Sequence, residues 1–226
     1  MDEAKKAAGN HAASLVKDGM TIGIGSGTTV YWFIRELGNR IDQGLHITGV
    51  PTSTQTEKLA AESGIRLTGL NEVDHLQLTV DGADEIDGEG NLIKGGGGAL
   101  LQEKMVAAAS RELIIIADKS KVVPRLGKFP LPVEVIPFGY KHVQQKIIDS
   151  GLCKQVRLRS RDNKIFITDH HHYVLDCEFE SIADSYGLNI GLHLIPGVVE
   201  TGLFVEMASS AVIGFDDGTI QMIRYK

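Results

Sequence analysis

The sequence contains little cysteine, no long apolar run and no surplus of positive charge. Cys153 and Cys177 are its two cysteines and form no Cys-x-x-Cys pair, which argues against a disulfide scaffold and suits a reducing compartment. No stretch approaches the roughly 18 apolar residues of a membrane span, and the charged, amphipathic beginning of the chain differs from a signal peptide. A formal net charge of −6 without a basic block disfavours nucleic acid. We therefore expect a cytoplasmic protein that binds neither membranes nor nucleic acid.

Glycine, by contrast, is abundant, with 26 residues in a chain of 226, against the roughly 7% expected. Several of these glycines lie in three clusters, at 23–27, 87–90 and 95–98. Clustered glycine beside strands and helices indicates backbone that approaches a ligand closely, or turns that need positive φ. Apolar residues make up 42% of the chain, so a full-sized core can form around such loops.

The first 120 residues alternate between strand and helix patterns. Apolar spacing predicts helices at 3–17, 29–42, 54–63 and 99–110. Short apolar runs predict strands at 20–24, 46–50, 65–68, 76–80 and 112–117. The last of these is continuously apolar, which is typical of a central parallel strand. The alternation predicts a doubly wound α/β domain.

The pattern changes after Lys128, where a proline-rich segment leads into a second region. The expected order there is strand 133–136, helix 140–150, strands 154–159, 164–168 and 173–176, helix 180–187 and strand 198–206. This order resembles a small α+β sandwich with a split β-α-β core. A hairpin at 211–224 could return to the first region. We therefore predict one domain at 1–128 plus about 207–226 and a smaller one at 129–206.

The loop Gly23-Ile-Gly-Ser-Gly-Thr-Thr29 lies between a predicted strand and a predicted helix. Backbone N–H groups at the helix start, together with the hydroxyls of Ser26, Thr28 and Thr29, can bind phosphate. The loop lacks the lysine of a Walker motif and the third glycine of a dinucleotide fingerprint, so a nicotinamide cofactor is disfavoured. The alternative is a tight turn with a Ser/Thr helix cap.

Two further loops place charged side chains after predicted strands. Asp81 and Asp84 follow strand 76–80, and Lys119 and Lys121 follow strand 112–117. In open α/β sheets, ligands bind beyond the carboxyl ends of the strands, so these side chains are candidates for one crevice. The alternatives are an aspartate-capped turn and solvated loop lysines.

The segment Lys94-Gly-Gly-Gly-Gly98 leads into the helix that carries Glu103. Four successive glycines suit neither a helix nor a strand, so a fold that keeps them needs bare backbone at this place. Alone, Glu103 would be interpreted as a carboxylate near a helix N-terminus. Together, these loops suit proton transfer next to a carbonyl. That reaction needs a carboxylate base and a cation or backbone donors for the enediolate.

The run Asp169-His-His-His172 has the composition of a metal site. It falls in a predicted hairpin of the second domain, and neighbouring residues on a strand point in different directions. We therefore predict no metal site there.

Together, these motifs resemble those of type A ribose-5-phosphate isomerases, over essentially the whole chain. The matching stretches are 23–29, 80–85, 92–99, 103–104, 117–121, 126–135 and 195–204. The resemblance implies a Rossmann-like domain with a smaller ferredoxin-like domain, assembled as a homodimer or homotetramer. It also implies interconversion of D-ribose 5-phosphate and D-ribulose 5-phosphate in the pentose phosphate pathway, without cofactor or metal.

The same resemblance implies roles for individual residues. Glu103 matches the proton acceptor between C2 and C1. Asp81 and Asp84 match groups that open the sugar ring and move protons among its oxygens, and Lys94 matches the group facing the developing oxyanion. Substrate contacts are implied for Ser26, Gly27, Thr28, Thr29, Gly82, Ala83, Gly95, Gly96, Gly97 and Lys121.

Two alternatives remain. Another isomerase or a transferase of the same fold group would also use strand-end loops. A domain that binds a sugar phosphate without reacting would need the phosphate loop but no base, so the set of Asp81, Asp84, Lys94 and Glu103 favours catalysis.

Overall fold

The computed structural model describes residues 2–225, which divide into two compact units. The first unit comprises residues 2–83, 102–122 and 207–225, and the second comprises residues 84–101 and 123–206. Within residues 2–225, no helix is both long enough and apolar enough to cross a bilayer.

The elements follow one another along the chain as a mixture of helices and strands. The helices are α1 (Asp2–Leu15), α2 (Thr28–Asp42), α3 (Thr54–Glu62), α4 (Leu100–Ala108), α5 (Tyr140–Asp149) and α6 (Ser185–His193). The strands are β1 (Thr21–Ile24), β2 (Thr48–Pro51), β3 (Arg66–Leu67), β4 (Leu78–Asp81), β5 (Glu85–Ile86), β6 (Leu92–Ile93), β7 (Leu113–Asp118), β8 (Leu131–Val135), β9 (Gln155–Leu158), β10 (Ser160–Arg161), β11 (Lys164–Ile165), β12 (Tyr173–Glu178), β13 (Val198–Thr201), β14 (Leu203–Phe204), β15 (Ser210–Gly214) and β16 (Ile220–Arg224).

The first unit is built on a seven-stranded sheet in the order β16-β15-β7-β4-β1-β2-β3. All neighbours in it are parallel except β15 and β16, which are antiparallel. Every residue of β7 is buried, as expected for a strand covered on both faces. This arrangement confirms the predicted Rossmann-like fold, and β15 of the last hairpin pairs with β7.

Apolar side chains hold helices against both faces of this sheet. Ile22 and Ile24 point to one face and join a fully buried cluster with residues of α1, α2 and α3. On the other face, Val106 of α4 packs against Val50 and Leu76. Each fully buried aliphatic side chain stabilises the fold by about 1.5–3 kcal/mol.

The second unit contains a four-stranded antiparallel sheet in the order β13-β8-β12-β9. Its chain order, β8-α5-β9-β12-α6-β13, is the ferredoxin-like arrangement that was predicted. Along β8, Leu131, Val133 and Val135 enter the apolar cluster shared with α5 and α6. Since side chains alternate along a strand, Pro132 and Glu134 face the opposite side.

Three local predictions were wrong. The pattern predicted a helix at 180–187, but α6 begins at Ser185 because the Asp184 carboxylate caps it through the Gly187 N–H. The predicted strand 198–206 divides at Gly202 into β13 and β14, which pair in different sheets. The segment 81–98, for which no strand was predicted, contains β5 and β6, which pair with each other, and β6 also pairs with β14.

Residues 84–101 group with the second unit, whereas the sequence pattern kept them in the first domain. Strand β6 of this segment pairs with β14, and the buried Glu85 carboxylate accepts hydrogen bonds from the Gly127 and Phe129 N–H groups at 2.7 Å each. Both contacts join this segment to residues much further along the chain, so a local sequence pattern cannot predict them. The proposed division near residue 128 remains a prediction.

Candidate active site

In the first unit, the loop after β1 leads directly into α2. Gly27 is the N-cap of α2 and no side chain caps this end, which leaves first-turn N–H groups of the helix directed at the loop. Thr28 is exposed and Thr29 is buried. The Lys5 ammonium, on α1, donates a hydrogen bond to the Thr28 hydroxyl at 3.0 Å. The loop therefore has the donors and the positive charge that suit a phosphate.

Asp81, the last residue of β4, holds this loop in place through hydrogen bonds. Its side chain is fully buried, and its Oδ1 accepts hydrogen bonds from the N–H groups of Ser26 at 3.0 Å and Gly82 at 2.7 Å. The carboxylate lies so close to Gly25 that a Cβ atom there would come within 2.1 Å of Oδ1. Glycine at position 25 is therefore a packing requirement, because any side chain would displace the Asp81 carboxylate.

The hydroxyl of Ser26 lies within a cluster of hydroxyl groups. Its Oγ is 2.9 Å from Thr52 Oγ1, 2.7 Å from Ser53 Oγ and 3.0 Å from Thr56 Oγ1. Thr56 also donates to the Gly25 carbonyl at 2.8 Å. The Ser26 side chain thus ties the loop to the start of α3. Its backbone N–H is occupied by Asp81 as well, so both polar groups hold the loop in shape.

Glu103 lies in the first turn of α4 and is 5% exposed. The end of α4 lies at the amino end of β4, where the Leu76 N–H donates to the Ala109 carbonyl. The start of α4 must then lie towards the carboxyl ends of the strands. A hydrogen bond of 3.4 Å from Gln102 to the carbonyl of Pro51, the last residue of β2, agrees with this direction. Glu103 and Asp81 are therefore at the same edge of one sheet.

Lys121 reaches that edge from a short 3₁₀ helix, Lys119–Lys121, which follows β7. Asp118 caps this turn, since its Oδ1 accepts hydrogen bonds from the backbone N–H and the hydroxyl of Ser120. Lys121 is half-buried. Asp118 lies in the stretch 117–121 that resembles the isomerase family, but its capping role was not predicted from the sequence.

In the second unit, Asp84 is hydrogen-bonded to the glycine loop that follows Lys94. The Asp84 carboxylate accepts a hydrogen bond from the Gly96 N–H at 2.8 Å, and the Asp84 N–H donates to the Ile93 carbonyl. Lys94 is 2% exposed, and its ammonium lies 5.4 Å from the centre of the Phe204 ring. The loop closes with a hydrogen bond of 2.9 Å from the Gly98 N–H to the Gly95 carbonyl.

The predicted site residues therefore fall into two groups. The first unit brings together Asp81, Glu103, Lys121 and the loop and turn residues Ser26, Gly27, Thr28, Thr29, Gly82 and Ala83. The second unit brings together Asp84, Lys94, Gly95, Gly96 and Gly97. Lys5 was missed because a lysine on an amphipathic helix carries no local signal of its contact with the loop.

The histidine run forms a turn in which His171 adopts a φ of 62°. His172 donates through Nδ1 to the Glu134 carboxylate at 3.0 Å, and the Thr168 hydroxyl donates to the same oxygen at 2.9 Å. Across residues 2–225, no three His, Cys, Asp or Glu side chains are grouped as metal ligands would be. His172 therefore serves as a hydrogen-bond donor to a buried carboxylate.

Known proteins match this chain along almost its full length. Residues 48–218 match the family model described as ribose 5-phosphate isomerase A (phosphoriboisomerase A). A ribose-5-phosphate isomerase A of Bacillus mycoides is 52% identical over 215 residues, covering 95% of this chain and 96% of that protein. The ribose 5-phosphate isomerase of Plasmodium falciparum is 38% identical, with a TM-score of 0.97 and full coverage of both chains.

A further solved structure is a D-ribose-5-phosphate isomerase in complex with phospho-erythronic acid. It is 37% identical to this chain, with a TM-score of 0.93 and 97% of each chain covered. The family model covers most of the sequence and includes Asp81, Asp84, Lys94, Glu103 and Lys121, whereas the loop 23–29 precedes the matched residues. The chain belongs to the ribose 5-phosphate isomerase A family.

Proposed function

We propose that this chain interconverts D-ribose 5-phosphate and D-ribulose 5-phosphate through an enediolate, in the pentose phosphate pathway and without a metal or redox cofactor. The observation that carries the proposal is Glu103, a buried carboxylate in a helix first turn, at the same sheet edge as the loop that Asp81 anchors. Family membership supplies the substrate, and this arrangement supplies a base and a phosphate-binding loop.

The proposed reaction moves one proton between neighbouring carbons. The Glu103 carboxylate takes the proton from C2 of the open-chain aldose, and the C2 electrons form the double bond of the enediolate. The same proton returns to C1, while the hydroxyl proton moves from O2 to O1, which leaves a hydroxyl at C1 and a carbonyl at C2. Atoms and electrons balance without any oxidant, so carboxylates and hydrogen-bond donors suffice.

The other predicted residues have supporting roles in this proposal. Lys94 and the glycine-loop N–H groups stabilise the charge that develops on the oxygens. Asp84 and Asp81 open the ring and move protons among the sugar oxygens. Backbone N–H groups already hold both carboxylates in place, at Gly96 for Asp84 and at Ser26 and Gly82 for Asp81.

The phosphate is proposed to bind at the start of α2 together with Lys121. Uncapped helix N–H groups, the hydroxyls of Thr28 and Thr29 and a lysine are the donors that phosphate prefers. Ser26 supports this loop mainly by fixing its shape, since its hydroxyl lies among those of Thr52, Ser53 and Thr56. Gly27, Gly82, Ala83 and Gly95 would let the sugar approach the backbone closely.

We also propose that the chain forms a homodimer or homotetramer. In the second unit, Phe166 and Tyr173 are only half-exposed, because Tyr173 packs on Tyr140 and Phe166 packs against two arginines. More exposed apolar side chains lie on α6 and at its C-cap, where Tyr186, Ile190 and Leu194 are 65%, 42% and 76% exposed. Their spacing of four residues places them on one side of the helix.

A direct assay tests the proposed activity. The protein is incubated with D-ribose 5-phosphate in heavy water containing a chelator, and the product is analysed for ketopentose phosphate and for deuterium at C1. We expect full turnover and partial deuterium incorporation, because the proton held by Glu103 can exchange with solvent. Binding of the sugar phosphate without turnover would identify a non-catalytic sensor, and loss of turnover restored by one divalent ion would contradict the metal-free mechanism.

A further inference from the structure

The loop Gly95–Gly98 has no side chains with which to hold its own shape. Glycine loses more conformational freedom on folding than any other residue, so four in succession must be held from outside. One external contact is the Asp84 carboxylate, which accepts the Gly96 N–H. The others come from the segment that follows β9.

Arg159 binds this loop through hydrogen bonds to two of its carbonyl groups. Its Nη1 donates to the carbonyl oxygen of Gly95 at 2.8 Å and to that of Gly96 at 3.2 Å. Its remaining donors, Nε and Nη2, bind the two carboxylate oxygens of Asp176 on β12. The guanidinium group therefore forms a bidentate ion pair with Asp176 and also donates hydrogen bonds to two backbone carbonyls. The Arg159 side chain is 12% exposed and the Asp176 side chain 25%.

Phe166 completes the contact around the loop. Its ring centre lies 5.8 Å from the Arg159 guanidinium carbon, and its ring edge covers Gly98. A Cβ atom at position 98 would come within 2.3 Å of the ring, and the φ of +91° there disfavours a side chain in any case. Arg159 and Phe166 are also joined by a backbone hydrogen bond of 3.0 Å. The loop is thus held by its carbonyls and covered at its end.

The direction of these contacts links Arg159 to the proposed catalytic groups. In a trans peptide the C=O and N–H bonds point in opposite directions. When Arg159 fixes the Gly95 carbonyl, the N–H of the same peptide points away from it, and this is the N–H that binds Asp84. One peptide group therefore connects Arg159 to the Asp84 carboxylate.

The same reasoning applies to the next peptide group. Arg159 fixes the Gly96 carbonyl, so the Gly97 N–H points away from the guanidinium. Within residues 2–225 this N–H has no hydrogen-bond partner, and Gly97 is exposed. A donor held in one direction and not satisfied by the protein suits an oxygen of the enediolate.

We propose that Arg159, oriented by Asp176, is a positioning residue that sets the direction of the Gly95–Gly97 peptides, and through them the Asp84 carboxylate and the Gly97 N–H. It does not touch the reacting atoms. The expected change in kcat rests on the proposed isomerase function. The expected loss of order in the glycine loop rests on the loop contacts alone. This positioning role distinguishes Arg159 from Arg157, which belongs to the same strand segment but binds Gln155 and Glu178 at the surface.

The test compares Arg159→Lys, Arg159→Ala and Asp176→Asn with the control Arg157→Lys. Lysine keeps the positive charge but cannot bind two carboxylate oxygens and two carbonyls together, so we expect kcat to fall about 10-fold with little change in KM. For Arg159→Ala we expect a fall of about 100-fold, as for a misplacement of roughly 1 Å. Asp176→Asn should cause a smaller loss in the same direction, and the control should retain the wild-type kcat.

Two further readouts separate positioning from simple destabilisation. Guanidinium ion at millimolar concentration should restore part of the kcat of Arg159→Ala and leave Arg157→Lys unchanged. Hydrogen–deuterium exchange should become faster in the peptide that contains residues 95–98 in both Arg159 variants, without faster exchange in β7. A kcat within twofold of wild type in Arg159→Lys, or unchanged exchange in the loop, would overturn the proposal. If the wild type does not isomerise ribose 5-phosphate, the function fails and the exchange measurement alone decides the positioning role.

Discussion

Glu103 is the residue on which the proposed reaction depends most. Glutamine at this position keeps the size and much of the hydrogen bonding but cannot accept a proton from C2. Positioned general acid–base catalysis contributes roughly 10²–10⁴-fold, so kcat of Glu103→Gln should fall by about that factor. KM should change little, because the phosphate loop is untouched. Steady-state kinetics with D-ribose 5-phosphate measures both values.

Glu112→Gln provides the matched control for this substitution. Glu112 is exposed and directly precedes β7, at the amino end of the same sheet, so its loss should leave kcat unchanged. Near-normal kcat in Glu103→Gln would show that another group is the base. Asp81, on the same sheet edge, would then be the first residue to test, followed by Asp84.

The two cysteines should differ in reactivity although they are neighbours. A hydrogen bond from Cys177 lowers the pKa of Cys153, and a backbone hydrogen bond involving Gln155 lowers it further. The same hydrogen bond with Cys153, together with burial, raises the pKa of Cys177 well above its usual value. Since the thiolate is the nucleophile, iodoacetamide at neutral pH should label Cys153 first.

Mass spectrometry of the labelled protein checks this prediction. Cys153→Ser should abolish the fast labelling, and Cys177 should react only after denaturant unfolds the second unit. Preferential labelling of Cys177 in the native protein would contradict the direction of the hydrogen bond.

The sequence pointed to candidate site residues where these follow a strand within one short motif, and their roles remain predictions. Asp81 and the loop 23–29 were recognisable because charge or glycine clusters directly after an apolar run, whereas Glu103 became a candidate only in combination with the other loops. Lys5 and Arg159 could not be found in this way, since their contacts with Thr28 and the glycine loop cross 23 and more than 60 residues of chain. Such contacts depend on tertiary packing, which single-sequence patterns do not contain.

At the level of elements, strand β8 carries a polar group in an unusual place. Glu134 is 1% exposed, and its Oε1 accepts hydrogen bonds from Thr168 and His172. Removing His172 would leave this buried carboxylate with one donor fewer, which costs about 1–3 kcal/mol. His172→Ala should therefore lower the free energy of unfolding by that amount, as measured by urea denaturation.

His170→Ala is the control for this effect. His170 lies in the same turn but is exposed, so its replacement should change the free energy of unfolding by no more than about 0.5 kcal/mol. Equal effects from the two substitutions would mean that the turn as a whole, rather than the donor to Glu134, stabilises β8.

The elements of the first unit were predicted better than those of the second. Strands such as β7 are buried on both faces, and their apolar runs stand out between glycine-rich loops. The second unit has shorter and partly exposed elements. The start of α6 is set there by a capping contact from Asp184, and the end of β13 by Gly202. A Cβ atom at Gly202 would come within 2.3 Å of the Lys94 carbonyl, a constraint that only the folded chain reveals.

For the whole molecule, sequence composition excluded classes of protein more effectively than it identified one. The low cysteine content, the negative net charge and the lack of long apolar runs are compatible with most classes of enzyme. The combination of several strand-end motifs was needed to reach one family, because each motif alone has a structural alternative. The 52% identity to the Bacillus mycoides isomerase over nearly the whole chain confirms that combination.

Assembly is the remaining prediction at this scale. Leu188 and Leu192 of α6 are buried in the second unit. Tyr186 and Ile190 on its other side, and Leu194 at its C-cap, are exposed. A stable dimer buries about 800 Å² on each partner with an apolar centre. We expect this side of α6 to meet the same surface of a second copy, which is the usual symmetry of homodimers.

Sedimentation of the wild type should therefore give a mass of at least twice the 24.5 kDa of one chain. Leu194→Asp places a charge within the proposed contact, where it would be buried without a partner, so this variant should sediment as a single chain at micromolar concentration. Met222→Lys, at an exposed position of β16, should keep the wild-type mass. A wild-type protein that sediments as one chain would contradict the assembly itself. If the Leu194→Asp variant remained oligomeric, the contact would have to lie away from α6, because an interface does not retain a buried, unpaired carboxylate at such a cost.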